Sequence, residues 1–107
     1  MMAERGAGDA ADRSFVPGVD GARWSYAGAL TYANAGAVLA AATALPLPSA
    51  GEVDLAGIGA VDSAAVAVLL ALKRRASEEG RPLKFVNVPS ALSVLSELYG
   101  VEEIVVA

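Results

Sequence analysis

Hydrophobic and polar residues are arranged along the chain in segments that switch between strand-like and helix-like spacing. Residues 23–30 partly alternate and hold two aromatic side chains, which predicts a half-buried strand. Thr31 is predicted to cap a helix over residues 32–44, where apolar residues recur at helical spacing. Residues 45–51 contain two prolines, which predicts a loop because proline lacks an amide donor and fixes φ.

The middle of the chain repeats this order with stronger signals. Residues 52–58 predict a second strand, and residues 59–61 lead into Asp62, a good helix cap. The helix predicted over residues 63–79 contains no glycine or proline, and Gly80 is predicted to end it. Its apolar stripe consists of Ala65, Val66, Leu69, Leu70 and Leu72.

The C-terminal part predicts a third strand and a third helix. Residues 82–88 form the strand, and one of its faces is predicted to hold Leu83, Phe85 and Asn87. Pro89 and Ser90 open the helix, and its apolar face is predicted to contain Leu92, Leu95, Leu98 and Tyr99. Residues 101–106 fit either a short closing strand or an extended tail.

The alternation of strands and helices predicts a fold class and one domain. Strands separated by helices run mostly parallel through right-handed crossovers, so the pattern predicts a small α/β fold with helices covering a sheet. Residues 1–20 are rich in Ala, Gly, Asp and Arg, which predicts a flexible N-terminal tail. The domain is therefore predicted to occupy residues 21–107.

Composition and charge exclude several classes of function. The net charge of −4 and the scattered cations argue against nucleic-acid binding, which needs a basic face. The chain has no Cys and no His, which removes thiol nucleophiles, the usual zinc ligands and the commonest general base. We therefore expect no catalytic residues, no metal site and no cofactor. A phosphoryl-transfer cluster of Asp54, Asp62 and Ser63 is also disfavoured, because residues 28–31 add no further acidic group.

Targeting signals are weak in this sequence. The first fifteen residues contain no apolar run that fits a secretory signal, and the absence of Cys agrees with a cytoplasmic location. Residues 24–51 carry no charge, but their alanines, polar residues and prolines make a membrane-spanning helix a poor fit.

Three local features have a simple structural explanation. The basic run at residues 73–75 lies in the second half of a predicted helix, where cations are favourable, and is predicted to be a solvated face. Tyr99 is predicted to be a core anchor with a hydrogen-bonding tip. Asp62 and Ser63 stand where a helix begins, so the plain interpretation is an N-cap followed by a first-turn residue. The functional alternative is that the helix N-terminus favours a phosphate on Ser63 or an acidic group of a partner.

Residues 51–99 resemble STAS domains, named for sulfate transporters and anti-sigma factor antagonists. The family's hallmark is a strand of the form V-D-L-S-G-V followed by a D-S-S-G-like turn and an apolar helix. The corresponding segments of this sequence are Val53-Asp54-Leu55-Ala56-Gly57-Ile58 and Asp62-Ser63-Ala64-Ala65. Residues 28–31 match the family's first strand and turn. The resemblance covers residues 22–106 and implies a non-catalytic module with a sheet of about four strands.

Within that family, the chain looks most like the small, MlaB-like STAS subunit of bacterial phospholipid ABC transporters of the Mla type, which maintain outer-membrane lipid asymmetry. The similarity lies in the length, in the Asp62-Ser63 turn and in the late helix ending at residues 95–100. It implies an ABC transporter ATPase subunit as partner and a cytoplasmic protein that meets the inner membrane only through that complex. The expected docking surface is the turn over residues 30–34 together with the helix start at residues 62–65. The implied partner-binding residues are Thr31, Asp62, Ser63, Ala64 and Ala65.

The alternative within the family is an anti-sigma factor antagonist switched by a serine kinase. Its phosphorylated serine is usually the second of the D-S-S-G pair, and that position is Ala64 here. This departure weakens the phospho-switch hypothesis. Ser63 is then the candidate phosphorylation site, and the alternative partner is an anti-sigma factor serine kinase.

Overall fold

The computed structural model describes residues 14–101 of the chain. Four strands form one mixed sheet in the order β1-β2-β3-β4, in which β1 is antiparallel to β2 and the other pairs are parallel. The strands are β1 (Val16–Pro17), β2 (Arg23–Leu30), β3 (Glu52–Val61) and β4 (Lys84–Val86). The helices are α1 (Ala35–Thr43), α2 (Ser63–Glu78) and α3 (Ser90–Leu98). The predicted α/β fold is confirmed.

The core lies between one face of the sheet and the helices. Trp24, Val53 and Phe85 are register neighbours on three adjacent strands, and all three are buried. Alternate residues of β2 such as Arg23 and Ser25 point to the opposite, exposed face. Because β2, β3 and β4 follow one another across the sheet, right-handed crossovers place α1 and α2 on the same side.

Helix α2 is closest to its prediction. Asp62 is the N-cap and its side chain accepts a hydrogen bond from the Ala64 amide. At the other end, Gly80 adopts a φ of 68°, and the amides of Gly80 and Arg81 bond back to the carbonyls of the last turn. This is a Schellman ending, which glycine favours because it has no Cβ. Both predicted boundaries therefore rest on confirmed capping contacts.

The start of helix α1 differs from its prediction. The helix begins at Ala35 and its N-cap is Asn34, so the prediction that Thr31 caps a helix from residue 32 is wrong. Thr31 instead opens a tight turn, because its carbonyl accepts hydrogen bonds from the amides of Asn34 and Ala35. The chain therefore leaves β2 through a turn before it becomes helical.

Strand β4 is shorter than predicted. It ends at Val86, and Asn87 adopts a left-handed φ of 57°, which Asn tolerates better than most residues. Asn87 is exposed, so its predicted place on the core face with Leu83 and Phe85 is wrong. Its side-chain amide reaches Asp54 on the open face of the sheet instead.

Helix α3 starts as predicted, and of its predicted apolar face Leu92 is buried and Leu95 packs partly buried against the core. Leu92 and Ser96 are fully buried, whereas Leu98 is 73% exposed and Tyr99 is 57% exposed. Ser96 lies four residues after Leu92 and so on the same face of the helix. Its hydroxyl donates a hydrogen bond to the Leu92 carbonyl at 3.0 Å. The prediction that Tyr99 anchors the core is therefore wrong.

The N-terminal part of the described chain belongs to the core. Phe15 is 1% exposed, and its ring lies 5.6 Å from that of Trp24 and 5.0 Å from that of Tyr26. Val16–Pro17 then pairs with β2. Phe15 and β1 fall within the predicted tail over residues 1–20, yet they pack on β2, and the Phe15 side chain fills one end of the core. The predictions for residues 1–13 and 102–106 lie outside the described residues.

The basic run on helix α2 is more than a solvated face. Arg75 donates to the carbonyls of Ala42 at 3.1 Å and Leu45 at 2.6 Å, and it pairs with Glu79 at 2.9 Å. It therefore adds a charged donor to two carbonyls at the C-terminal end of α1. Lys73 lies 5.9 Å from the centre of the Phe85 ring, whereas Arg74 is exposed.

We expect Arg75→Ala to lower the free energy of unfolding by about 2 kcal/mol, because it leaves two carbonyls of the α1 end without their charged donor. The matched control is Arg74→Ala, which removes the same charge from the next residue and should change stability by less than about 0.5 kcal/mol. Urea unfolding followed by circular dichroism measures both. Equal effects of the two substitutions would contradict the capping role.

Candidate functional site

The predicted site residues meet at one edge of the sheet. Thr31 follows β2 and Asp62 follows β3, and Leu30 and Val61 are register neighbours at the ends of these parallel strands. Parallel strands place the residues that follow them along a common edge. Thr31, Asp62, Ser63 and Ala64 are therefore brought close together, although 30 positions separate the two segments.

Asp62 connects the two segments directly. Its Oδ1 accepts a hydrogen bond from the Ala64 amide at 2.8 Å, and its Oδ2 accepts one from the Tyr32 amide at 3.1 Å. The Ala65 amide bonds to the Asp62 backbone carbonyl. The start of α2 is thus already occupied by a carboxylate. An acidic group or phosphate arriving here would meet like charge, which argues against the anion-binding alternative.

The turn beside Asp62 is held by a buried polar network. Asn34 is 8% exposed, and its Oδ1 accepts from the Thr31 amide at 3.0 Å. Its Nδ2 donates to the Ala29 carbonyl at 3.0 Å and to the Tyr26 hydroxyl at 3.4 Å. The Tyr26 hydroxyl in turn donates to the Ala29 carbonyl at 2.7 Å. The sequence analysis did not single out Asn34. The one indication of its role in the sequence is that a polar side chain stands inside a strongly apolar segment.

The site residues differ in how accessible they are. Ser63 is exposed, and Thr31, Asp62 and Ala64 are partly exposed. Ala65 is fully buried, so its side chain is not available to a partner, and the expectation that it takes part directly is wrong. The reason is helical geometry, because Ala65 points into the core together with Leu69. Tyr32, which lies in the predicted docking turn over residues 30–34, is 84% exposed.

A protein-family model described as Mlab, STAS domain, matches residues 22–106. The chain belongs to the STAS domain family. STAS domains are generally non-catalytic interaction domains. None of the curated proteins searched matches the chain significantly. The match begins after β1, so Phe15 and its strand lie upstream of the part that the STAS family model covers.

Within residues 14–101, no three Asp or Glu side chains are grouped so that they could hold a metal ion. No helix in the same range is long and apolar enough to cross a membrane.

Asp54 of the family's strand motif lies on the open face of the sheet, away from the Asp62 edge. Its Oδ1 accepts from the Ala56 amide at 2.9 Å and from the Asn87 side-chain amide at 3.1 Å. These two bonds, with a smaller contribution from Arg23, hold the pKa of Asp54 below its ordinary value. Asp54 therefore joins β3 to the end of β4.

We expect Asn87→Gly to raise the pKa of Asp54 toward its ordinary value without restoring it fully, because the bond from Ala56 remains. Glycine suits the left-handed backbone of residue 87, so only the amide donor is lost. Carboxyl-detected NMR titration measures the pKa.

The lowered pKa of Asp54 makes the free energy of unfolding depend on pH. Asp54 binds its proton more tightly in the unfolded chain than in the folded one. Its contribution to the free energy of unfolding is therefore present above the unfolded pKa of about 3.9 and is lost as pH falls through the folded pKa. Asn87→Gly should flatten this acid part of the stability curve. An Asp54 pKa that does not change in the variant would contradict the assignment.

Proposed function

We propose that this STAS domain is a non-catalytic subunit that binds and supports the cytoplasmic ATPase of a phospholipid ABC transporter of the Mla type, which maintains outer-membrane lipid asymmetry. The observation that carries the proposal is the exposed Ser63 at the start of α2, next to Asp62, whose carboxylate binds the turn after β2. The description of the matching family model, Mlab, supports this type of STAS domain. The protein would then be cytoplasmic and would reach the inner membrane only through its partner.

The proposed docking surface consists of Thr31, Tyr32, Ser63 and Ala64. Small side chains let a partner backbone or side chain approach closely, and Ser63 supplies a directional hydrogen bond. Asp62 would support this surface and would not bind the partner itself, since both of its carboxylate oxygens already accept hydrogen bonds from the protein. Its role in the interaction is to hold the two segments of the surface together.

An anti-sigma factor antagonist remains the second candidate because Ser63 is exposed and thus accessible to a kinase. Two observations weaken it. The usual phosphorylation position is Ala64, and a phosphate on Ser63 would stand next to the Asp62 carboxylate. The proposal therefore predicts binding without a phosphate switch.

The test is an affinity pull-down of the tagged full chain from its native host after gentle detergent extraction, followed by mass spectrometry. Recovery of an ABC ATPase with its permease supports the proposal. A Ser63→Asp bait, expressed at the same level, is the matched control and should lose both proteins. Recovery of a serine kinase with phosphate on Ser63 would overturn the transporter role in favour of the antagonist.

A further inference from the structure

Tyr32 combines an exposed side chain with a fixed backbone. Its side chain is 84% exposed, while its amide donates to Asp62 Oδ2 at 3.1 Å. The turn that carries it is held by the buried Asn34. Single exposed apolar residues are common on protein surfaces, so exposure alone assigns no role. An aromatic side chain on a fixed backbone is different, because little backbone entropy is lost when a partner covers it.

The charge distribution around Tyr32 is uneven. Asp62 is the charged residue that adjoins the turn, and its carboxylate is engaged in two hydrogen bonds. The cations of α2 begin at Lys73, about 15 Å along the helix from Ser63 at 1.5 Å per residue. The Arg23–Glu52 ion pair lies at the start of the strands, the opposite edge of the sheet. Among the described residues, the charge next to the Tyr32 turn is thus the carboxylate of Asp62, and the cations lie farther away.

The exposure of Tyr32 and the charges near it indicate which kind of partner surface would fit it. An acidic patch of a partner would meet the like charge of Asp62, and a basic patch would find that carboxylate already engaged in two hydrogen bonds. An apolar pocket would gain the area of the aromatic ring, and one polar group at its base would satisfy the phenol hydroxyl. Tyr is also among the residues that most often dominate the free energy of protein interfaces.

We propose that Tyr32 is the anchor of the docking surface and inserts into an uncharged, mainly apolar pocket of the protein partner. The inference rests on the proposed function, because it places the pocket on the transporter ATPase. It also adds a distinction that the STAS family match does not make: Ser63 directs the contact, whereas Tyr32 supplies most of its affinity.

The first test is isothermal titration of the purified ATPase recovered with the full-length chain. We expect Tyr32→Ala to weaken binding at least tenfold, and Tyr32→Phe to weaken it by less than fivefold because the ring is kept. Tyr99→Ala is the matched control, since Tyr99 is 57% exposed at the far end of α3. The affinity of this variant for the ATPase should stay within twofold of that of the original chain. Unchanged thermal melting shows that each variant is folded. Binding of Tyr32→Ala within twofold of the original chain would overturn the anchor role.

The second test separates failure of the anchor from failure of the proposed function. A photo-crosslinking phenylalanine derivative replaces Tyr32 in the native host, with Tyr99 replaced in a control strain. A crosslink from position 32 to the ATPase supports both proposals. Co-purification of the ATPase without that crosslink overturns the anchor and leaves the function standing. A crosslink to another protein, without the ATPase, overturns the function and supports the anchor. A crosslink to lipid or to a second copy of the chain overturns the anchor.

Discussion

Phe15→Ala is expected to lower the free energy of unfolding by about 3–5 kcal/mol, the usual range for removing a buried aromatic ring. Phe15 is 1% exposed and contacts the rings of Trp24 and Tyr26. Its loss leaves a cavity beside two large side chains that β2 holds in place, so the core has little room to collapse. Since small domains are stable by about 5–15 kcal/mol, the variant should be close to unfolding.

The matched control for Phe15 is its neighbour. Val16 is 56% exposed, and Val16→Ala should change stability by less than about 0.5 kcal/mol. Urea unfolding of both variants, followed by Trp24 fluorescence, makes the comparison. A small effect of Phe15→Ala would mean that the aromatic contact contributes little to the stability of the domain.

Ser63→Asp is expected to weaken binding of the partner ATPase about a hundredfold, whereas Ser63→Ala should weaken it only about two- to fivefold. The alanine variant loses one hydrogen bond, worth about 1 kcal/mol. The aspartate variant buries a second carboxylate next to Asp62, at an edge of the sheet where no described residue adjoining Asp62 supplies a cation. Isothermal titration with the purified ATPase measures both affinities.

Stability should not follow affinity in these Ser63 variants. An aspartate in the first turn of α2 interacts favourably with the helix dipole, so the domain should remain folded. Ser90→Asp is the matched control, because Ser90 is exposed and is the first residue of α3, just as Ser63 is the first residue of α2. If Ser90→Asp weakened binding equally, general charge repulsion would explain the result and Ser63 would lose its assigned place in the contact.

These experiments address different levels of the same molecule. The Phe15 comparison tests how far the folded domain extends, and it needs no partner. The Ser63 series tests the docking surface on a domain that stays folded. A result that contradicts one of them therefore leaves the other interpretable.

The sequence alone determined the features that depend on neighbouring residues. The boundaries of α2 follow from Asp62 at its start and Gly80 at its end, and both act within a few residues. The alternation of strands and helices predicted the α/β fold, because crossovers between parallel strands have one favoured hand. The motif around Asp62 indicated the STAS family, which the family model then matched over residues 22–106.

Tertiary structure decided which side chains are covered. Phe15 is buried by contacts with a strand that follows it, and Arg75 caps a helix more than thirty positions away. Composition and helical spacing contain no such long-range information, so Tyr99 was predicted to be buried although it is exposed.

The same division applies to the docking surface. The sequence placed Asp62 and Ser63 at a helix start, but the burial of Ala65 and the exposure of Tyr32 required the packed sheet and helices. The hydrogen bond from the Tyr32 amide to Asp62 joins residues 30 positions apart. Local sequence signals act within about one helical turn, whereas a surface is composed of whatever segments the fold brings together.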